Sequence, residues 1–241
     1  MNPNLEMQVT KTNAGLWTVT YGRKEAPLDV QEAAFAANGI EIVSPAQLGF
    51  LRHKGGKCIF EPYSRTSADV LNDVYDGRDN RVVIVPNREL SNIFGIHNLV
   101  TAHRQNKEYV LPEDQRDLIY AMVDEMIKKG IAITAKFGQT DIPISDFGQT
   151  GLTSNLFSDE RLGIKAQDYG DWLKEQGRSA QSMFFDNERY AKSQKGPYLS
   201  RLRVYGPDGD FIVGGGSRDL GDNDGAFGVR FEKTAEGGPK K

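Results

Sequence analysis

The side chains able to do chemistry are few in this chain. There are three histidines, His53, His97 and His103, and a single cysteine, Cys58. His97 and His103 stand six apart, which misses the i, i+3 or i, i+4 spacing that places two ligands on one helix face. The reading taken is that His53 ends a helix and that His97 and His103 lie on a loop surface, so no metal site is assigned. A metal-dependent enzyme using His97, His103 and nearby carboxylates is the alternative. Cys58, in "GKCIFEP", is flanked by apolar and basic residues and reads as a small core residue rather than a nucleophile. One cysteine forms no intramolecular disulfide, which excludes a disulfide-built secreted scaffold. P-loop, dinucleotide and G-x-S-x-G signatures are absent from the sequence. No catalytic residue and no cofactor are assigned.

Polar chemistry gathers instead near the C-terminus, in "VGGGSRDLGDNDGAFGVRFEK" (Val213–Lys233). As a calcium loop this stretch offers Asp219, Asp222 and Asp224. The EF-hand template, however, meets Leu220 at its first position and Phe231 where the closing Glu belongs. As a plain hairpin, "DNDG" is a good turn, since Asn and Asp tolerate left-handed backbone and Gly adopts it freely. As a recognition surface, Asp, Asn and Ser supply adaptable hydrogen bonds while Arg and Tyr serve as anchors. In "SRLRVYG", strand alternation sets Arg201, Arg203 and Tyr205 on one face and Leu202 and Val204 on the other. The same trio would also suit the solvated outer face of an edge strand. The positions assigned to ligand binding are Arg201, Arg203, Tyr205, Asp210, Ser217, Arg218, Asp219, Asp222, Asn223 and Asp224. Phe227, Val229 and Phe231, alternating with Gly228 and Arg230, are expected to hold the last strand to the core.

Something must position these residues, and the rest of the pattern says what. "LWTVTYG" (Leu16–Gly22) reads as a strand. Ala26–Gly39 reads as a helix with Leu28, Ala33 and Phe35 inward and Gly39 as its stop. Ser44–Gly56 reads as a second helix with Ser44 as N-cap and Pro45 at its first position. "KCIFEPY", "RVVIVPN" and "GIAITAKFG" read as strands. Leu111–Gly130 is the clearest helix, with Leu118, Met122, Val123 and Met126 on one side. The repeated "FGQT" at Phe137 and Phe147 reads as one loop with two turns. Gly163–Gly177 is a short helix carrying Tyr169, Trp172 and Leu173, and Trp17 and Trp172 are expected as core anchors. "SMFFDNERYA", "YLSRLRVYG", "GDFIVGG" and "GAFGVRF" read as successive antiparallel strands.

The order is therefore strand, helix, helix, a long irregular middle, then strands to the end. Gly39, Ser44, Pro45, Ala46 and Leu48 at the front, with Gly215, Gly216, Ser217 and Gly228, Val229, Arg230 at the back, make the chain resemble the C-type-lectin fold in its formylglycine-generating-enzyme-like form. The resemblance implies an α+β domain with antiparallel strands, two N-terminal helices and a long inserted middle. Of the functional branches of that fold, the copper oxidase needs a cysteine pair that Cys58 alone cannot supply. The iron-dependent sulfur-transfer branch needs a histidine triad with a close helical pair. The third branch, the variable proteins of diversity-generating retroelements, including those of archaeal viruses, implies binding without catalysis. There, error-prone copying at template adenines turns AAC or AAT codons into any base pair followed by C or T. Such codons cannot encode Lys, Glu, Gln, Met or Trp. Those five types make up 47 of the 241 residues, and Gly196–Phe231 contains none of them. Pro62–Arg88 also lacks all five.

The expected organisation is an extended segment over 1–15, the lectin-type domain over 16–232 with its variable region at about 196–232, and a disordered tail over 233–241. The expected partner is a protein or glycan ligand on a cell or virus surface; an undiversified virion structural protein is a further alternative. Net charge is −3, against a generic nucleic-acid binder. The N-terminus lacks the apolar region of a signal peptide, and no stretch approaches a membrane span. A soluble protein carried on a virion or cell surface is expected.

Overall fold

The computed structural model describes residues 7–54, 64–74, 80–105, 107–205, 213–215, 220 and 224–234. Its strands are β1 (Thr10–Ala14), β2 (Trp17–Glu25), β3 (Glu41–Ile42), β4 (Ser64–Asp73), β5 (Arg81–Val85), β6 (Ile133–Ala135), β7 (Gln139–Pro143), β8 (Ala180–Phe185), β9 (Tyr198–Val204), β10 (Val213–Gly215) and β11 (Gly225–Lys233). Its α-helices are α1 (Leu28–Ala37), α2 (Pro45–Lys54), α3 (Glu89–Phe94), α4 (Ile96–Arg104), α5 (Glu113–Lys128), α6 (Gly151–Phe157), α7 (Ala166–Glu175) and α8 (Glu188–Ser193). All the strands join one sheet, whose main path runs β1-β2-β11-β4-β9-β10-β8-β7, with β3 paired to β11 and β5 bridging β4 and β6.

The two N-terminal helices form for local reasons. In α1, Leu28, Gln31 and Phe35 recur at helical spacing and are buried. The inward alanine is Ala34 rather than Ala33, which is exposed. Gly39, at φ +65°, supplies the left-handed residue that ends the helical path. Helix α2 opens on a capping box: Ser44 Oγ accepts from the Gln47 amide at 3.1 Å, and Gln47 Oε1 accepts from the Ser44 amide at 3.0 Å.

The sheet buries both of its faces, and β5 displays the division residue by residue. Val82 and Ile84 join a core with Leu48 and Leu51 of α2, Phe157 of α6, and Tyr169, Trp172 and Leu173 of α7. Val83 and Val85 join a second core with Leu28 and Phe35 of α1, Leu90 and Phe94 of α3, Leu99 and Val100 of α4, and Ile119 and Val123 of α5. The middle of the chain is thus largely helical and closes the second face of the sheet. On α5 the inward residues are Ile119, Tyr120 and Val123, whereas Leu118 is 73% exposed.

Several sequence expectations are corrected here. Gln139–Pro143 is an edge strand, not a turn, and Glu188–Ser193 is a helix. The C-terminal strands are mixed: β10 runs parallel to β8, and β11 meets β4 in parallel at Ala226 and Arg65. Strand β9 lies between β4 and β10, so it is central rather than an edge. "KCIFEPY" with Cys58, and residues 235–241, lie outside the described residues.

The front and back sequence motifs meet in space. Gly228 faces Ile42 in the β3–β11 ladder, and the Arg230 guanidinium donates to the Gly39 carbonyl at 3.1 Å. A side chain at Gly228 would place its Cβ 2.5 Å from the Phe35 ring, so this position needs glycine for close approach. Phe227 and Val229 are buried, Phe231 packs against the first core, and Arg230 is exposed, which is the alternation expected of the last strand.

Candidate functional site

The C-terminal strands meet the inserted helices on the second face of the sheet, and the candidate residues divide there. Arg201 is 1% exposed. Its guanidinium donates to Ser91 Oγ at 2.8 Å and to the Thr66 carbonyl at 3.4 Å, and it pairs with Glu32 Oε1 at 3.2 Å and Asp69 Oδ1 at 3.5 Å. Glu32 also binds Arg88 at 3.3 Å, and Asp69 accepts from the Ser91 amide at 2.8 Å. Burial pushes the Asp69 carboxyl above its ordinary range, against the opposing pull of Arg201 and the Ser91 hydrogen bonds. Arg201 is therefore a core cross-link between β9, α1 and α3. Its assignment to a displayed surface is corrected, because a central strand covered by helices has no solvated face.

Arg203 receives the same correction, being 6% exposed. It lies directly opposite Arg65 in the β4–β9 ladder and donates to the Tyr205 hydroxyl at 3.4 Å. Two guanidiniums side by side are tolerable only with anionic and carbonyl neighbours. Arg65, wholly buried, donates to the Ala26 carbonyl at 3.0 Å and Gln31 Oε1 at 3.1 Å, and pairs with Asp224 Oδ2 at 3.4 Å. Asp224 keeps 35% of its side chain exposed. Its carbonyl accepts from the Ala26 amide at 3.2 Å and from the Gln31 side-chain amide. Tyr205 is half-buried at the end of β9. Asp210, Ser217, Arg218, Asp219, Asp222 and Asn223 lie outside the described residues.

His97 and His103 both sit on α4, not on a loop, and the structure does not bring them together. His97 is 80% exposed, with Asp29 at 3.9 Å, whereas the His103 side chain is fully buried. His103 Nδ1 accepts from the Leu220 amide at 3.4 Å, and its Nε2 lies 3.5 Å from Glu108 Oε2. Burial, then the nearby Arg203 and Arg65 charges, lower its pKa to about 4, so the imidazole is neutral at pH 7. Among the described residues no group of three or more His, Cys, Asp or Glu is placed to hold a metal ion.

Sequence reasoning missed Leu220, Gln31, Arg65 and Glu108 as parts of this site. Leu220 had a readable signal, being the one apolar residue in "SRDLGDND". The buried polar partners had none, since they come from segments far apart in the chain. Elsewhere, a cleft of about 560 Å³ opens between the N-terminus of α2 and the Ser158–Arg161 turn, lined by Glu41, Ser44, Gln47, Arg88, Asp159 and Arg161 among others. Among the described residues, no C-terminal candidate lines it.

No family model matches this sequence, and no curated protein matches it. A solved structure described as "Accommodation of massive sequence variation in Nanoarchaeota by the C-type lectin fold" aligns with a TM-score of 0.57 and 15% identity, covering 91% of this chain and 100% of that one. At that identity the likeness is one of fold. This α+β chain has the C-type lectin fold.

Proposed function

We propose that this chain is a non-catalytic ligand-binding protein that uses the C-type lectin scaffold to present side chains of its C-terminal region, as the variable proteins of diversity-generating retroelements do. The observation that carries this reading is the division within residues 196–232. Arg201, Arg203 and Leu220 are locked in the interior, while the polar residues around Leu220 are, like the rest of Gly196–Phe231, of types that adenine-directed change of AAC or AAT codons can yield. The structural neighbour described for massive sequence variation supports the same reading. The presenting set narrows to Tyr205, Asp210, Ser217, Arg218, Asp219, Asp222 and Asn223, with Asp224 at its border. The ligand is a protein or glycan on a cell or virus surface, met by adaptable hydrogen bonds with Tyr205 and Arg218 as anchors.

Sequencing around the gene tests this. The expected result is a near-copy of the codons for residues 196–232, differing at template adenines, beside a reverse transcriptase. A locus with neither removes diversification from the reading.

A further inference from the structure

We propose that His103, with Ala26, Leu28 and Gln31, forms a cradle that holds the chain by its backbone at Leu220 and Asp224, so that these two points stay attached whatever side chains the display segment carries. This rests on the display reading for its purpose, but not for its geometry.

Leu220 is 1% exposed within a polar stretch and is attached at three points. Its side chain joins the apolar cluster of Leu28, Leu99 and Ala226. Its carbonyl accepts from the Leu28 amide at 3.0 Å, which satisfies a free N–H in the first turn of α1. Its own amide donates to His103 Nδ1 at 3.4 Å. Four residues on, the Asp224 carbonyl accepts from the Ala26 amide at 3.2 Å and from the Gln31 side chain. All four hydrogen bonds address the main chain of the segment. Among the described residues, the Leu220 side chain and the Asp224–Arg65 pair read its sequence. Main-chain N–H and C=O groups are the same for every residue except proline, so substitutions between the two attachment points leave this anchorage intact.

His103 is the positioning residue on which the inserted helices act. Accepting at Nδ1 places its proton on Nε2, towards Glu108 Oε2 at 3.5 Å. Glu108 Oε1 in turn accepts from the Tyr190 hydroxyl at 2.6 Å. Tyr190, Glu108 and His103 thus lie in sequence from α8 to the Leu220 amide, with Nε2 near Oε2 but not hydrogen-bonded to it. Arg65 and Arg203, the cations facing the ring, favour its neutral form. The inserted middle of the chain therefore has a positional task in addition to covering the sheet.

The test is amide hydrogen exchange by NMR on the full chain, comparing His103→Asn with His103→Gln. Asn Oδ1 occupies the place of Nδ1, whereas Gln Oε1 reaches the place of Nε2 and leaves the Leu220 amide without its acceptor. We expect exchange at Leu220 to rise about tenfold in H103Q, to stay near wild type in H103N, and the Val70 and Val83 amides to change far less in either. Equal protection of Leu220 in both variants, or a rise shared by Val70 and Val83, overturns the cradle. No ligand enters the measurement, so a locus without a template copy would sink the display reading and leave this result standing.

Discussion

The two faces of the sheet are held by different physics. On the first, Phe157, Tyr169 and Trp172 stack with centroids 4.8 and 5.5 Å apart over an apolar floor, and stability there comes from area removed from water. On the second, apolar helices close over a line of buried polar groups: Arg201 with Glu32 and Asp69, Arg65 with Asp224, and His103 with Glu108. The arginine pairs add little net stability once desolvation is subtracted, but breaking one is costly, and the neutral His103 is not an ion-pair partner. The lesson is in what the second face adds. Both faces bury apolar area, and the second adds a polar network that ties β9, Leu220 and Asp224 to α1, α3 and α4. A scaffold that presents changeable side chains needs both.

Four changes would sharpen or break that contrast. Phe157→Ala should cost about 3–5 kcal/mol in chemical denaturation, because it opens a cavity in a stacked aromatic core. A loss under 1 kcal/mol would mean that the first face is not the stability core. Arg201→Met should cost about 3 kcal/mol, with part regained on adding Asp69→Asn, since the single change strands buried carboxylates. Without that partial recovery the network is not coupled.

Acid should act through the second face. The folded His103 pKa of about 4 lies below the ordinary histidine value of 6.5, so the unfolded chain takes up the proton first as pH falls. Its contribution is fully present above pH 6.5, is lost by about 3 kcal/mol on going down to pH 4, and is flat below that. Urea melts at the two pH values should show this loss in wild type and not in His103→Asn. Smallest of the four, Ser44→Ala should cost about 1 kcal/mol by removing the α2 cap, and a silent substitution would make the capping box dispensable.

Legibility in the sequence followed the range of the interaction. Helices α1 and α2 were readable because Gly39, Ser44 and Pro45 act within one turn of themselves. β5 was readable because an unbroken run of Val and Ile needs burial on both sides. The displayed trio was misread because alternation in "SRLRVYG" tells which side chains share a face, not whether that face meets water. What covers it is α1 and α3, more than one hundred residues earlier, through Glu32 and Ser91. Leu118 was misread for a related reason: an apolar residue at helical spacing on α5 looks inward until the partner surface is known. His103 was placed on a loop because α4, Ile96–Arg104, is only nine residues long, too short for its apolar positions to declare a helix by themselves.

The most direct test is a deep mutational scan of residues 196–232, scored for folded protein by resistance to protease. The division of anchors from presenting positions predicts that Arg201, Arg203, Leu220 and Gly228 tolerate almost nothing, while Asp210, Ser217, Arg218, Asp219, Asp222 and Asn223 accept nearly every residue. If Leu220 proved as free to change as Asp222, the scaffold would not be held as described.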